Sequence, residues 1–407
     1  MGYNRFGQNT DSSLPVGATV PTIITTNDPS KPNWLNLSLP NTLVDITTYP
    51  SFSTVTQSQY TSTTLSGSNL SSLLGGGTWD DTAFKSFWCD GLYWAFKGDN
   101  VASYARVFTS VDGITWTERA NLTKDASSYS RPEQIRIKKL SDGYVYVMAT
   151  TGVYRTNNAG VSWTHLLAGS GTYWGDIAYN GTTYVLTGGS GAAGIETTTD
   201  FVTMTQRHTL PYGGGSGSQI YYSPTFSKFY VHCGTGGGGN HWVCSSSDGI
   251  SGWSNTVLGA PLTGSSAING ASVIEFKGEL VLILGTNGQA CFKSSNGSTW
   301  NIVTNLTDAH TTADTYIQSP FATVDSLFYY KDSGNGMAFV NNLTSSVART
   351  TTASVGNATF AGHDTINNRL VVLRADNFTD VTRVVLPYLA TENKVFMPVQ
   401  NTLVRVY

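Results

Sequence analysis

Charge is scarce in this chain. Lys, Arg, Asp and Glu supply 12% of 407 residues, about half the usual share, and they balance to −3 with the cations dispersed. A nucleic-acid binder needs a basic face to displace phosphate counterions, so neither DNA nor RNA is expected as a ligand. No run reaches the about 18 apolar residues of a spanning helix, so membrane insertion is not expected. The opening Met1-Gly2-Tyr3-Asn4-Arg5-Phe6-Gly7 lacks the basic-then-apolar order of a secretory leader, and none is expected. The four cysteines, Cys89, Cys233, Cys244 and Cys291, show no Cys-x-x-Cys spacing, which argues against zinc and redox chemistry. Cys233 and Cys244 flank residues 234–240 and face each other across a hairpin in one reading; free thiols packed as small apolar groups are the preferred one. His232 and His241 lie in the same hairpin without an acid to complete a metal site. No Gly-x-Ser-x-Gly, P-loop or His-Glu-x-x-His phrase occurs, and no metal or cofactor is expected.

What is present is a recurring phrase. It reads Ser110-Val111-Asp112-Gly113-Ile114-Thr115-Trp116, then Thr156 to Trp163 with Asn158 and Gly160, then Ser246 to Trp253 with Asp248 and Gly249, then Ser294 to Trp300 with Asn296 and Gly297. The tryptophans Trp116, Trp163, Trp253 and Trp300 stand 47, 90 and 47 residues apart, so the middle gap holds two periods. The missing copy fits Thr199-Asp200-Phe201-Val202-Thr203-Met204, where the spacing survives without the glycine and the tryptophan. A period in the forties points to one propeller blade per repeat. Strand-like runs such as 87–94 and 144–148 precede the phrases, so each unit reads as four short antiparallel strands. In each phrase the glycine supplies a positive φ, Asp or Asn accepts turn N–H groups, and the indole is large enough to wedge neighbouring blades apart.

These phrases resemble the Asp-box (BNR-type) motif of sialidase-type and related propellers over about residues 80–390. The resemblance implies an all-β fold, an Asp-box β-propeller of seven blades with six as the alternative, preceded by a small N-terminal β module. Three copies depart from the family pattern, because Asp112, Asp248 and Asn296 directly precede their glycines. Seven units are drawn at 84–119, 134–166, 175–206, 219–257, 271–303, 316–350 and 358–390.

Residues 1–62 differ in kind, being proline-rich and free of the repeat. Leu14-Pro15-Val16-Gly17, Pro32-Asn33-Trp34-Leu35 and Thr48-Tyr49-Pro50-Ser51-Phe52 resemble the start of a phage tail-collar domain. The resemblance implies an attachment module that docks on other virion tail proteins. Residues 63–79, rich in Gly and Ser, read as a linker. Residues 391–407 read as a closing strand beyond the last blade, packed with the N-terminal module.

The sialidase resemblance also implies an arginine cluster and paired acids. Candidate arginines are Arg131, Arg136, Arg155, Arg207 and Arg349; candidate acids are Glu133, Asp176, Glu196, Glu275 and Glu279. Sequence alone brings no two of the acids together, so no catalytic residue is assigned and hydrolysis stays an alternative. If the phrase turns join strands three and four, the blade-to-blade connectors share the opposite face. There Tyr129, Tyr173, Trp174, Tyr212 and His208 mix rings with polar groups in a way suited to sugars.

The function expected is that of a structural bacteriophage tail component in the fibre, collar or baseplate region, made in the host cytoplasm and carried on the virion. It displays the propeller for host-surface or glycan recognition or for tail assembly, as a homo-oligomer. A sialidase-like glycoside hydrolase and a non-enzymatic propeller assembly factor are the alternatives.

Overall fold

A computed structural model describes residues 62–66, 68–74, 84–98, 104–123, 135–149, 152–168, 174–188, 194–211, 219–234, 241–258, 273–284 and 290–303, together with short strands between 19 and 45 and between 321 and 405. The chain divides into two compact units. One comprises Met1–Thr61 with Val385–Tyr407, the other Ser62–Val384.

The large unit holds seven antiparallel sheets of four principal strands, each sheet a blade. Blade one runs Phe84–Cys89, Leu92–Gly98, Tyr104–Ser110 and Trp116–Glu118, with Leu122–Thr123 added beside the third strand. Blade two runs Arg136–Lys139, Val145–Ala149, Gly152–Thr156 and Thr164–Ala168. Blade three runs Trp174–Tyr179, Tyr184–Gly188, Gly194–Thr198 and Thr205–Thr209. Blades four, five and six repeat the order from Ile220, Val273 and Phe321. The first strands of neighbouring blades touch one another from blade one to blade six. The apolar core therefore lies between sheets. One cluster joins Trp94, Phe96 and Val107 of blade one to Val145, Val147 and Tyr154 of blade two. Another joins Tyr230 and Val243 of blade four to Leu280, Leu282 and Phe292 of blade five. All four cysteines are free and buried.

Each phrase turn joins the third and fourth strands, and in blades one, three, four and five the Asp or Asn Oδ1 accepts the N–H groups two and three residues on, whereas in blade two Asn158 Oδ1 accepts the Ser162 N–H at 3.1 Å. In blade one the Ser110 hydroxyl donates to Asp112 Oδ1 at 2.9 Å and accepts the Gly113 N–H at 2.9 Å. Asp112 Oδ1 also accepts the N–H groups of Ile114 and Thr115, both at 2.7 Å. Blade four repeats this around Asp248, and blade five repeats the Oδ1 bonds around Asn296. The decayed copy keeps the bonds as well. Asp200 Oδ1 accepts from Val202 and Thr203 at 2.9 Å, and the Phe201 N–H donates to Thr198 Oγ1 at 2.8 Å. Phe201 occupies the glycine place with φ 59°, a left-handed conformation that costs a side-chain-bearing residue about 1–2 kcal/mol. Its ring offsets that cost by burial against Tyr146 and Tyr184.

The wedge is visible at Trp163. Its ring meets Trp94 of blade one edge-on at 5.9 Å, and its Nε1 donates to the Ala120 carbonyl at 2.9 Å. Glycine is needed where the turn nests on the preceding blade. At Gly249, φ 75°, a Cβ would stand 2.5 Å from Val185 Cγ2.

The segment expected as a linker is structured over part of its length. Ser62–Ser66 pairs with Asp380–Val385 and supplies the fourth strand of blade seven, after His363–Asp364 and Arg369–Leu373. A helical turn, Leu70–Leu74, follows, with Leu70 and Leu74 buried. Arg106 and Lys97 of blade one donate to the carbonyls of Leu73 and Leu74. The Ser-Thr-Thr-Leu-Ser strand completes the ring from the other end of the sequence, a long-range pairing that local composition does not encode.

In the small unit, Thr402–Arg405 lies between Thr19–Pro21 and Trp34–Asn36, and Leu43–Asp45 pairs with Lys394–Phe396. Both ends of the sequence thus contribute to the same sheets.

Candidate functional site

The first strands carry a buried polar row. Asp176 is fully buried on the first strand of blade three. Its Oδ2 receives Lys138 Nζ of blade two at 2.5 Å and the Ile220 N–H of blade four at 3.1 Å. Lys138 also donates to the Ile220 carbonyl at 2.6 Å. Arg136 is half-buried in the field of the same carboxylate; desolvation lowers its pKa and Asp176 opposes that shift. One blade further on, Glu275 accepts from Ser223 and Thr225 of blade four. Asp176 and Glu275 therefore both clasp the first strand of blade four. Glu279 is paired with Lys293 at 3.0 Å, and Arg207 donates to Thr197 Oγ1 at 2.8 Å. These candidates tie strands together.

The residues expected to face a ligand separate into two groups. Trp174 is 8% exposed, packed with Tyr146, Ile177 and Leu186 between blades two and three, so its ring is core and is not presented to a ligand. His208 stacks on Trp253 of blade four at 5.8 Å, with Nε2 2.9 Å from Asn255 Oδ1, so it bridges two blades. Both were legible as aromatics near connectors, but which way a strand residue points depends on register. Tyr129, Tyr173 and Tyr212 lie outside the described residues, as do Arg131 and Glu133. The turn residues Asp112, Gly113, Trp116, Asn158, Gly160, Trp163, Asp248, Gly249, Trp253, Asn296, Gly297 and Trp300 sit in the hairpins already described.

A second cluster, which sequence reasoning missed, lies at the turn end of the junction between blades two and three. Asp142 Oδ2 accepts two phenols, Tyr146 at 2.6 Å and Tyr184 at 2.7 Å. Burial and the Asp142 carboxylate push Tyr146 upward; Tyr184 rises to about 12, chiefly by burial. Both phenols stay protonated as donors. Tyr179 stacks on Tyr184 at 4.2 Å and is itself half-buried. Arg155 lies 4.5 Å over the Tyr144 ring and its guanidinium hydrogen-bonds the Tyr146 hydroxyl, while its Nε has no acceptor among the described residues. Half-buried aromatic faces beside one fixed acceptor and one guanidinium are the groups that bind polyhydroxylated rings.

No protein-family model matches the chain, and no curated protein matches it either. Solved structures do. A chain of the Mitotic Checkpoint Complex is 13% identical, with TM-score 0.51, covering 80% of this chain and 91% of that one. The large unit is a β-propeller. The extracellular domain of a B. thetaiotaomicron protein classed with the hybrid two component systems gives TM-score 0.51 at 13% identity, covering 76% of this chain; the match spans 39% of that chain. The SapL1 lectin in complex with alpha methyl fucoside gives TM-score 0.43 at 10% identity over 66% of this chain and 94% of the lectin. At these identities the likeness is one of fold. Among the described residues of this propeller no group of three metal-ligating side chains occurs, and no helix is long and apolar enough to cross a membrane.

Proposed function

We propose that this chain is a non-catalytic bacteriophage tail component, attached through its small unit and displaying the propeller to bind a glycan on the host surface. The observation that carries the reading is the connectivity. Thr402–Arg405 pairs with Thr19–Pro21 and Trp34–Asn36, so the propeller is a sequence insertion within a β unit whose first strands resemble a tail-collar start. An insertion leaves the host unit free to assemble with other tail proteins in a symmetric homo-oligomer. The low charge is consistent with recognition by hydroxyls and rings. The engagement of Asp176, Glu275 and Glu279 within the blades favours binding over hydrolysis.

The test is immunolabelling of purified phage particles with an antibody against residues 80–390, together with binding of the purified chain to host-surface polysaccharide. Label at the distal tip and saturable binding are expected. Absence of label from every particle overturns the virion reading, and release of a chromogenic sugar overturns the non-catalytic one.

A further inference from the structure

The second and third strands of blade four, Lys228–Gly234 and His241–Ser246, form a hairpin that brings two thiols together. Val231 pairs with Cys244 and Cys233 with Trp242, so the two cysteines are diagonal neighbours on one face. Strand twist closes one diagonal on each face of such a pair. Cys233 Sγ stands 3.7 Å from Cys244 Sγ, and on the other face His232 Nε2 stands 3.2 Å from His241 Nδ1. Both thiols are buried in the apolar cluster that blade four shares with blade three. The repeat shows that packing does not call for them. Counted from the phrase turn, the equivalent second- and third-strand places hold Lys97 with Phe108, Ala149 with Tyr154, Gly188 with Glu196 and Leu284 with Phe292. Each of those third-strand residues is large. Blade four replaces the large residue and its diagonal neighbour together, by two cysteines. Cys89 and Cys291 are also buried and free, with no thiol beside them among the described residues.

We propose that Cys233 and Cys244 are a thiol–disulfide site, reduced in this structure and closed to a disulfide that clamps the hairpin by a small-molecule disulfide such as oxidised glutathione. The inference concerns blade four alone and stands apart from the glycan-binding reading. An S–S bond is about 2.05 Å long, so closure needs roughly 1.7 Å of approach along a diagonal already in contact. Cys233 is next to last in its strand, beside Gly234, so local opening of the hairpin end exposes it first. As a thiolate it attacks one sulfur of glutathione disulfide; a Cys233–glutathione bond forms, the glutathione S–S bond breaks, and the leaving glutathione takes up the proton that Cys233 gave up. Cys244 then attacks Cys233 Sγ, loses its own proton, and displaces the second glutathione as a thiol. Two protein thiols are oxidised, and one glutathione disulfide is reduced to two thiols. Contact with Cys233 and burial hold Cys244 above the usual thiol range, which suits it to the second step and leaves the first to Cys233. The bond closes the chain from 233 to 244 into a ring and so restricts the unfolded state.

The experiment treats the reduced full chain with oxidised glutathione, alkylates the remaining thiols in denaturant, and maps the peptides by mass spectrometry without reduction. A linked peptide joining Cys233 to Cys244 is expected, with Cys89 and Cys291 alkylated. The melting temperature should rise by several degrees on oxidation and return with dithiothreitol. Cys244→Ala should trap one glutathione on Cys233 and show no such rise; the peptide map of the parent chain decides the matter if that variant fails to fold. Four alkylated cysteines after treatment overturn the proposal, as does linkage or glutathione capture at Cys89 or Cys291 at the same rate, which would mark global unfolding as the route. A linked chain that melts no higher than the reduced one overturns the clamp.

Discussion

Asn69 grips the backbone of Trp116 from both sides. Its Nδ2 donates to the Trp116 carbonyl at 3.0 Å, and its Oδ1 accepts the Trp116 N–H at 2.7 Å. The residue lies between the strand that completes blade seven and the helical turn that packs on blade one, so the bonds help lock the ring where the sequence joins it. Asn69→Ala is expected to lower stability by about 1–2 kcal/mol, the sum of two net hydrogen bonds. Urea denaturation checks this; an unchanged midpoint would mean that the Ser62–Ser66 pairing alone secures the closure.

Trp163→Ala removes a ring that touches Trp94 and an N–H that satisfies Ala120. Because the indole is half-buried, the cost is expected at the lower end for a large aromatic truncation, about 3 kcal/mol. Denaturant midpoints measure it, and a loss within error of zero would contradict the wedge.

Phe201→Gly sets backbone relief against lost packing. Glycine removes the roughly 1–2 kcal/mol left-handed cost, but emptying the space against Tyr146 and Tyr184 costs about 3–5 kcal/mol. A net loss of about 2 kcal/mol is expected by calorimetry or denaturation, and a more stable variant would show that the ring contributes little.

The histidine pair of blade four should make the fold acid-sensitive. Burial, with His241 beside it, pulls His232 from 6.5 down to about 3, and burial lowers His241 as well. Unfolded chains take up these protons once the pH drops below about 6.5, while folded His232 stays neutral to about 3. Each step down through that window therefore favours unfolding. Replacing both, His232→Phe with His241→Leu, is expected to flatten the dependence of the melting temperature between pH 6.5 and 4; an unaltered slope would assign it to other groups.

Asp248 adds a smaller dependence at lower pH. The Ser251 N–H, the Ser251 hydroxyl and the Ile250 N–H hold its carboxyl below the usual range. That contribution is present above the unfolded value of about 3.9 and fades as the pH falls further. Asp248→Asn should leave the melting temperature nearly level between pH 4 and 2 relative to the parent, and parallel acid limbs would argue that the turn is insensitive to this charge. The copy at Asn296 already accepts the corresponding N–H groups of Ser298 and Thr299 without a titrating group.

Local chemistry was legible. The Ser or Thr, the Asp or Asn, and the glycine of each phrase fall within a few residues of each other, so their turn could be read without knowing what lay beyond it. Even the copy at Asp200 was found by spacing, although nothing in the sequence said that Phe201 would adopt the glycine conformation. What was not legible depends on direction and distance. Trp174 and His208 looked free because strand residues alternate faces, and which face meets a neighbouring blade is set by register across the junction. The cluster around Asp142 draws on two hairpins about forty residues apart, and only the packing of blade three on blade two brings Tyr184 to the carboxylate of Asp142.

The amino-acid order by itself determined an all-β chain of repeated four-stranded units and the internal bonds of their turns, because strand alternation and side-chain-to-backbone hydrogen bonds act over a few residues. Tertiary structure alone decided that Ser62–Ser66 completes the last blade, that the two termini share a sheet, and that the Phe201 ring fills the junction of blades two and three against Tyr146 and Tyr184. Those outcomes arise from pairing edges and filling volumes between segments far apart in sequence, where no local pattern carries the partner's address.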